Sequence, residues 1–170
     1  MNVVRIQLLK RTDGAVVLRC DRPDGTATWR RYEGAKAQYL ALHDLAHFAV
    51  ETACGYRRGF FGLVAEGWNI GDFGAPWPRG RVPADAEPVE LIVGLLDSEA
   101  MEGVRWPAGE FNARASERQR AAGLADPPPL SERILQDLRQ EIGRLRARWL
   151  AVPMGAGLEL EFPRVATTPR

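Results

Sequence analysis

Cysteine and histidine are both scarce in this chain of 170 residues, which contains two of each. Cys20 and Cys54 form neither a metal-binding pair nor a disulfide framework. No apolar run reaches the roughly 20 residues of a membrane-spanning helix, and no charged-then-apolar signal segment precedes the first predicted strand. These absences predict a cytoplasmic protein without a membrane-spanning segment.

The chain also lacks an excess of charge and the common nucleotide-binding motifs. Lysine and arginine total 23 against 22 acidic residues, so the formal net charge is +1. Neither G-x-G-x-x-G nor a phosphate-binding loop ending in Gly-Lys occurs, and there is no Gly-x-Ser-x-Gly. The arginines of 114–120 and 139–148 are interleaved with acidic residues, which is typical of solvated helix faces. We therefore expect no nucleic-acid partner.

Residues 1–33 have the pattern of an antiparallel β-meander. The segments "NVVRIQLL", "AVVLRC" and "TATWRRY" are rich in β-branched residues, and "RTDG" and "RPDG" separate them as hairpin turns. Val4, Ile6 and Leu8 alternate with polar residues, so one face of the sheet is expected to be buried. Residues 157–163, "GLELEFP", alternate in the same way and are predicted to rejoin the sheet as its last strand.

Helical periodicity follows over 34–104 and 105–150. The first region contains the helix with both histidines, a shorter helix in "RRGFFGLVAEG", a Pro/Gly loop that is either a lid or a packed surface loop, and an apolar helix in "VELIVGLLDSEAMEGV". The second region contains an arginine-rich helix and a helix capped by Ser131, with Leu130 stapled onto Leu135. The sequence therefore predicts a single α+β domain over 1–170, with about four to five helices packed on one face of the sheet.

The helix at 131–150 has a seam of apolar residues at a 3-4-3-4 spacing. The seam consists of Leu135, Leu138, Ile142, Leu145 and Trp149. Packing inside the domain is favoured because two heptads are short for an autonomous coiled coil. A homodimer through this helix is the alternative.

The stretch "LHDLAHFAVE", residues 42–51, contains the only two histidines. Residues four positions apart on an α-helix differ in direction by only about 40°. His43, His47 and Glu51 therefore share one narrow face. That face borders the predicted apolar side of the helix, which would put these side chains at the edge of the core. The apolar side consists of Tyr39, Leu42, Ala46, Ala49, Val50 and Ala53.

Two imidazoles four residues apart can bind one divalent metal ion, and their nitrogen ligands favour zinc. Glu51 lies roughly 12 Å along the helix from His43, too far to join the same ion, so it is expected to accept a hydrogen bond from His47. A third ligand must come from another segment. The candidates are Glu66, Asp72, Asp97, Glu99 and Glu102, of which Glu66 and Asp72 flank the aromatic segment after the site helix.

The motif "HDLAH" resembles the zincin metallopeptidase helix, whose two histidines bind zinc. The resemblance implies that His43 and His47 are metal ligands and that Asp44 takes the position of the catalytic glutamate, with a side chain one methylene shorter. "LALHDLAH" is also similar to the metal-binding helix of HD-domain phosphohydrolases, in which His43 and Asp44 would be the paired ligands. No histidine precedes His43 to supply the further ligand of that family.

Residues 42–67 also resemble small bacterial proteins that carry an "HDLxHxxVE" helix followed by "GFFGLVAxG". The matching segments here are "HDLAHFAVE" and "GFFGLVAEG". No activity is assigned to that group, so the resemblance implies only a bacterial, cytoplasmic origin.

Aromatic residues cluster after the site helix. Phe60, Phe61, Trp68, Phe73 and Trp77 are expected either to wall a pocket over the histidines or to anchor the core and the loop.

Two functions remain open from the sequence, which therefore does not decide whether the protein is an enzyme. The first is a hydrolase-like protein that binds a divalent metal through His43 and His47, with Asp44 as base or ligand. The second is a non-catalytic binding or assembly module in which the histidine face is structural.

Overall fold

Three N-terminal strands and one C-terminal strand form one antiparallel sheet in the computed structural model of the protein, which describes residues 3–163. The strands are β1 (Val3–Lys10), β2 (Val16–Asp21), β3 (Ala27–Tyr32) and β4 (Gly157–Pro163), in the spatial order β3-β2-β1-β4. Gly14 and Gly25 have φ angles of 87° and 84°, which the two Asp-Gly turns require. The predicted meander with a returning last strand is confirmed.

One face of the sheet is apolar and carries the helices. In the ladder, Ile6 lies opposite Cys20 on β2 and opposite Leu160 on β4, and all three are buried. The intervening Arg5 and Arg19 point to the other, exposed face. The period-2 alternation of the sequence therefore fixes which side of each strand faces the core.

Five α-helices occur between β3 and β4. They are α1 (Ala37–Cys54), α2 (Phe60–Ala65), α3 (Glu87–Glu102), α4 (Ala108–Ala121) and α5 (Glu132–Ala151). The loop between α2 and α3 contains only two short 3₁₀ turns, at Ile70–Phe73 and Ala84–Ala86. The predicted α+β class is confirmed. Within residues 3–163, no helix combines the length and apolar character needed to cross a bilayer.

Helix α1 lies between two apolar cores. The first core joins α1, α2 and α5 to the sheet, and Phe48, Phe61 and Trp149 belong to it. The second core joins α1 to α3, α4 and α5 and includes Val50 and Leu95. The helices thus form two layers on one side of the sheet, with α1 in contact with both.

This second layer corrects the predicted position of two residues of the histidine face, whereas the half-buried His43 lies at the edge of the core as predicted. His47 and Glu51 are not at the edge of the core, because they are 3% and 1% exposed. Tyr39, predicted on the apolar side, is 46% exposed. The periodicity of α1 could not show this, since α3 packs against the side of α1 that the pattern assigned to the core boundary.

The apolar seam of α5 is used within the chain. Leu135, Leu138, Leu145 and Trp149 are fully buried, and the Ile134 amide donates to the Ser131 hydroxyl at 3.3 Å, as the predicted cap requires. The seam is therefore not available to a second copy. Homodimerisation remains a prediction that concerns only the other faces of α5.

Candidate metal centre

The histidines of α1 open onto a cleft with a volume of about 440 Å³. The inner face of β3, the start of α2, the loop before α3 and the first turn of α3 form its other walls. The polar residues that line it are Arg30, Tyr32, His43, Asp44, His47, Glu87 and Glu90. The apolar residues are Leu40, Phe60, Ile70, Phe73, Trp77, Val82 and Ala86.

Three side chains in this cleft bring potential metal ligands together. His43, His47 and Glu90 each offer one ligand atom, and these atoms all lie within 4.8 Å of one another. Nε2 of His47 is 3.6 Å from Oε2 of Glu90, and the imidazole centroids are 4.8 Å apart. Ligands of a tetrahedral zinc ion lie roughly 3.3–3.5 Å apart, given metal–ligand distances of about 2.0–2.2 Å. The separation of Glu90 and His47, 3.6 Å, is already close to this spacing, and the Glu90 side chain is half-exposed.

A carboxylate fixes the orientation of the first imidazole. Nδ1 of His43 is 2.7 Å from Oδ2 of Asp97, which also accepts a hydrogen bond from the Tyr39 hydroxyl at 3.2 Å. A proton on Nδ1 satisfies this contact and leaves Nε2 free to bind a metal. Burial lowers the pKa of His43, but the hydrogen bond and charge of Asp97 outweigh burial and raise that pKa above its ordinary value. Asp97, one of the predicted third ligands, thus contacts the imidazole.

The imidazole of His47 also has a carboxylate near its Nδ1, but the two atoms are too far apart for a hydrogen bond. Nδ1 of His47 is 3.7 Å from Oε1 of Glu51 and is the one fully buried side-chain nitrogen or oxygen atom in residues 3–163 without a hydrogen-bond partner. Glu51 instead accepts hydrogen bonds from the amides of Phe61 at 3.1 Å and Gly62 at 2.9 Å. The predicted support of His47 by Glu51 therefore needs a small movement, while the observed contacts of Glu51 hold the start of α2.

Glycine permits this approach of α2 to α1. A β-carbon at position 59 would lie 2.4 Å from the Glu51 carboxyl carbon, so Gly59 is the residue that lets Glu51 reach the amides. Through these amides, α2 is held where the ring of Phe60 lies 5.7 Å from that of His47.

Asp44 faces the sheet side of the cleft. Its Oδ2 accepts a hydrogen bond from the Tyr32 hydroxyl at 2.9 Å. Burial raises the pKa of Asp44 to about 6, against the opposing effects of that hydrogen bond and of the two histidines. The carboxyl is therefore held in an environment that disfavours its ionised form.

We expect Asp44→Asn to change how stability depends on pH. The pKa of Asp44 is about 6 in the folded chain, against 3.8 for an unperturbed aspartate, so wild-type stability rises as pH falls through this interval. Relative to the non-titrating variant, metal-free wild type should gain about 2 kcal/mol between pH 7 and pH 4. Urea denaturation at both pH values, with chelator present, measures this difference.

The control for this prediction is Asp126→Asn. Arg120 lowers the pKa of Asp126, so wild type should lose stability relative to that variant as pH falls. A difference between wild type and Asp44→Asn that stays constant from pH 7 to pH 4 would contradict the assigned environment of Asp44.

The other predicted ligands lie outside the three-residue group. Glu66 forms an ion pair with Arg58 at 3.0 Å, and the Asp72 carboxylate accepts from the Asn69 amide at 2.7 Å in a capping box. Glu99 is buried in an ion pair with Arg139, and Glu102 is exposed. The candidate ligand that the sequence did not indicate is Glu90. Nothing in the local pattern distinguishes it from Glu87, and only the packing of α3 on α1 brings it to the histidines.

The predicted aromatic wall is divided between the cleft and the core. Phe60 lines the cleft, together with Phe73 and Trp77. Phe61 is buried against Phe48 and Phe162, and Trp68 contacts Phe73 outside the cleft lining. Adjacent residues of α2 point in different directions, which separates Phe60 from Phe61.

Comparison with known proteins gives no relative from which a role could be transferred. No protein-family model, curated protein or solved structure matches the chain.

Proposed function

We propose that this protein binds a divalent metal ion through His43, His47 and Glu90 and uses it to activate water for hydrolysis. The observation that carries the proposal is the group of three ligand atoms within 4.8 Å of one another, at the wall of an aromatic-lined cleft. Two imidazoles and one carboxylate form the donor set of many catalytic zinc sites, which leave a fourth position for water. Zinc is accordingly the expected ion.

The carboxylates behind the imidazoles support this proposal. Asp97 contacts Nδ1 of His43, and Glu51 is the nearest carboxylate to Nδ1 of His47. Metal-binding histidines commonly donate their second N–H to a carboxylate, which fixes the ring and increases its basicity. A proton on Nδ1 of His47 leaves Nε2, the atom near Glu90, to bind the metal, and a small shift of the ring or of the Glu51 carboxylate gives Nδ1 its partner.

A metal held by His43, His47 and Glu90 would lower the pKa of a bound water and polarise a carbonyl group of the substrate. Asp44 lines the same cleft and accepts a proton from the water while the water oxygen attacks the carbonyl carbon. The proton then passes to the leaving group when the bond to the carbonyl carbon breaks.

Zinc titration of protein purified without a histidine tag tests the metal site. We expect one zinc ion per chain in wild type and in Glu87→Gln, a control that removes a carboxylate from the same cleft. Asp97→Asn should weaken binding roughly 10- to 100-fold, as loss of an outer partner of a ligand does. Glu90→Gln, which removes a ligand, should weaken binding by more than Asp97→Asn.

A wild-type protein that binds no stoichiometric zinc, or a Glu90→Gln variant that binds it as wild type does, would refute the metal site. Hydrolysis of p-nitrophenyl acetate by zinc-loaded wild type and Asp44→Asn tests the chemistry separately. Zinc binding without hydrolysis would leave a metal-binding protein and remove the hydrolase.

A structural role for the histidines is the second candidate. It is favoured by the hydrogen bonds from Tyr39 and His43 to Asp97, because they tie α1 to α3 without a metal. In that case the protein is a non-catalytic binding or assembly module, and zinc should change neither its stability nor that of its variants.

A further inference from the structure

Arg30 occupies an unusual place on β3. It lies opposite the buried Leu18 in the ladder, between Thr28 and Tyr32, which are also buried. It is therefore on the inner side of the sheet, where the sequence alternation would put an apolar residue. β3 is an edge strand, so the Arg30 side chain reaches the cleft and contributes to its lining.

The Arg30 guanidinium has no carboxylate partner. Among residues 3–163, it forms no ion pair and no hydrogen bond, although its charge acts on the cleft residues Tyr32 and Asp44. The next residue, Arg31, points to the opposite face and pairs with Asp13 and Glu33. Apart from the two histidines, Arg30 is the only basic side chain that lines the cleft in this part of the chain.

Aromatic rings extend along the rest of the cleft. Phe60, Phe73 and Trp77 line it, and the Phe60 and Phe73 rings are 4.7 Å apart. Trp77 has a φ angle of 60°, which bulky residues rarely adopt, and Arg81 lies over its ring at 4.9 Å. The loop before α3 thus holds an indole ring against the cleft in an uncommon backbone conformation.

We propose that the cleft binds an organic oxyanion, with a carboxylate or phosphate on Arg30 and an apolar body against Phe60, Phe73 and Trp77. The inference rests on the proposed function and names its substrate class. The scissile carbonyl group of such a substrate lies toward His43, His47 and Glu90, and the anionic group lies toward the sheet.

The charges of the cleft restrict where the anion can bind. Glu87 and Glu90, in the first turn of α3, repel an anion at that end of the cleft. Arg30 is on the opposite, β3 side, where its charge also acts on Asp44. A guanidinium can bind a carboxylate or a phosphate through two parallel hydrogen bonds. The substrate orientation follows from this separation of charge.

Isothermal titration of the zinc-loaded protein tests the proposal with three probes: hippurate as carboxylate, phenyl phosphate as phosphate, and the neutral hippuramide. We expect at least one anionic probe to bind wild type, and the stronger of the two identifies the preferred oxyanion. Arg30→Gln should weaken the binding of that probe roughly 10- to 100-fold, because the substitution removes charge-assisted hydrogen bonds. Arg30→Lys should retain part of the affinity, because lysine keeps the positive charge but lacks the two parallel N–H donors of the guanidinium.

Two variants serve as controls. Arg31→Gln removes the neighbouring arginine from the outer face and should leave anion binding unchanged. Trp77→Ala removes the indole ring but keeps a β-carbon in the same backbone conformation. It should weaken the binding of all three probes.

Several results would overturn the inference. It fails if zinc-loaded wild type binds neither anion more tightly than hippuramide, or if Arg30→Gln binds the anions within threefold of wild type. If Arg30→Gln lowers stability but not anion binding, Arg30 is a counter-charge for Asp44. Failure of zinc to bind refutes the proposed function and this inference together, whereas zinc binding without dependence on Arg30 refutes the inference alone.

Discussion

Replacing His47 by leucine is expected to stabilise the metal-free protein while abolishing its stabilisation by zinc. The buried Nδ1 of His47 has no hydrogen-bond partner within residues 3–163, and an unpaired buried polar atom costs about 1–3 kcal/mol. Leucine fills a similar space beside Phe60, so we expect a gain of about 1 kcal/mol in the free energy of unfolding. Zinc at about 1,000 times its dissociation constant should add roughly 4 kcal/mol to wild type and nothing to the variant.

The matched control is His43→Leu, which should also abolish the effect of zinc. This variant should lose about 1 kcal/mol of stability in the absence of metal, because it removes the hydrogen bond between His43 and Asp97. Urea denaturation of wild type and both variants, with chelator and with zinc, gives the six values needed. A loss of stability in metal-free His47→Leu comparable to that in His43→Leu would show that His47 is a structural residue.

The second large effect is expected at the buried ion pair that joins α3 to α5. Glu99 accepts hydrogen bonds from Arg139 at 2.6 and 3.0 Å and from the Trp106 amide at 2.8 Å. Arg139 also donates to the Trp106 carbonyl at 2.7 Å. Their side chains are only 5% and 10% exposed, so removal of one partner leaves an uncompensated charge in the core.

We expect Arg139→Met to lower the free energy of unfolding by about 3–5 kcal/mol. The double variant Glu99→Leu/Arg139→Met should be less destabilised than the sum of its single variants, because it removes both charges together. Chemical denaturation of the four proteins gives the coupling energy. Arg120→Met, which removes an exposed ion pair with Asp126, should change stability little. A single variant at Arg139 that behaves like Arg120→Met would contradict the buried character of the pair.

This ion pair also bears on the candidate site. It anchors the C-terminal part of α3, the helix that carries both Glu90 and Asp97. The candidate ligand Glu90 and the residue that contacts His43, Asp97, therefore both depend on the position of α3. We expect that stability and zinc affinity decrease together in variants that loosen α3.

Local sequence determined the elements of this protein. The Asp-Gly turns, the alternation of Val4, Ile6 and Leu8, and the Ser131 cap act over a few residues, so they can be identified without knowledge of the fold. The helical spacing also brings His43 and His47 to one face of α1. These features depend on backbone geometry and on the period of apolar residues, both of which the sequence contains directly.

Tertiary structure alone decided how these elements make a site. Glu90 lies far along the chain from His47, and it becomes a candidate ligand only because α3 packs on α1. The same packing buries His47 and moves Asp97 from a candidate ligand to a partner of His43. Arg30 gains its place in the cleft because β3 is at the edge of the sheet. Each outcome depends on contacts between segments distant in sequence, and the periodicity of one segment carries no information about the partner it will meet.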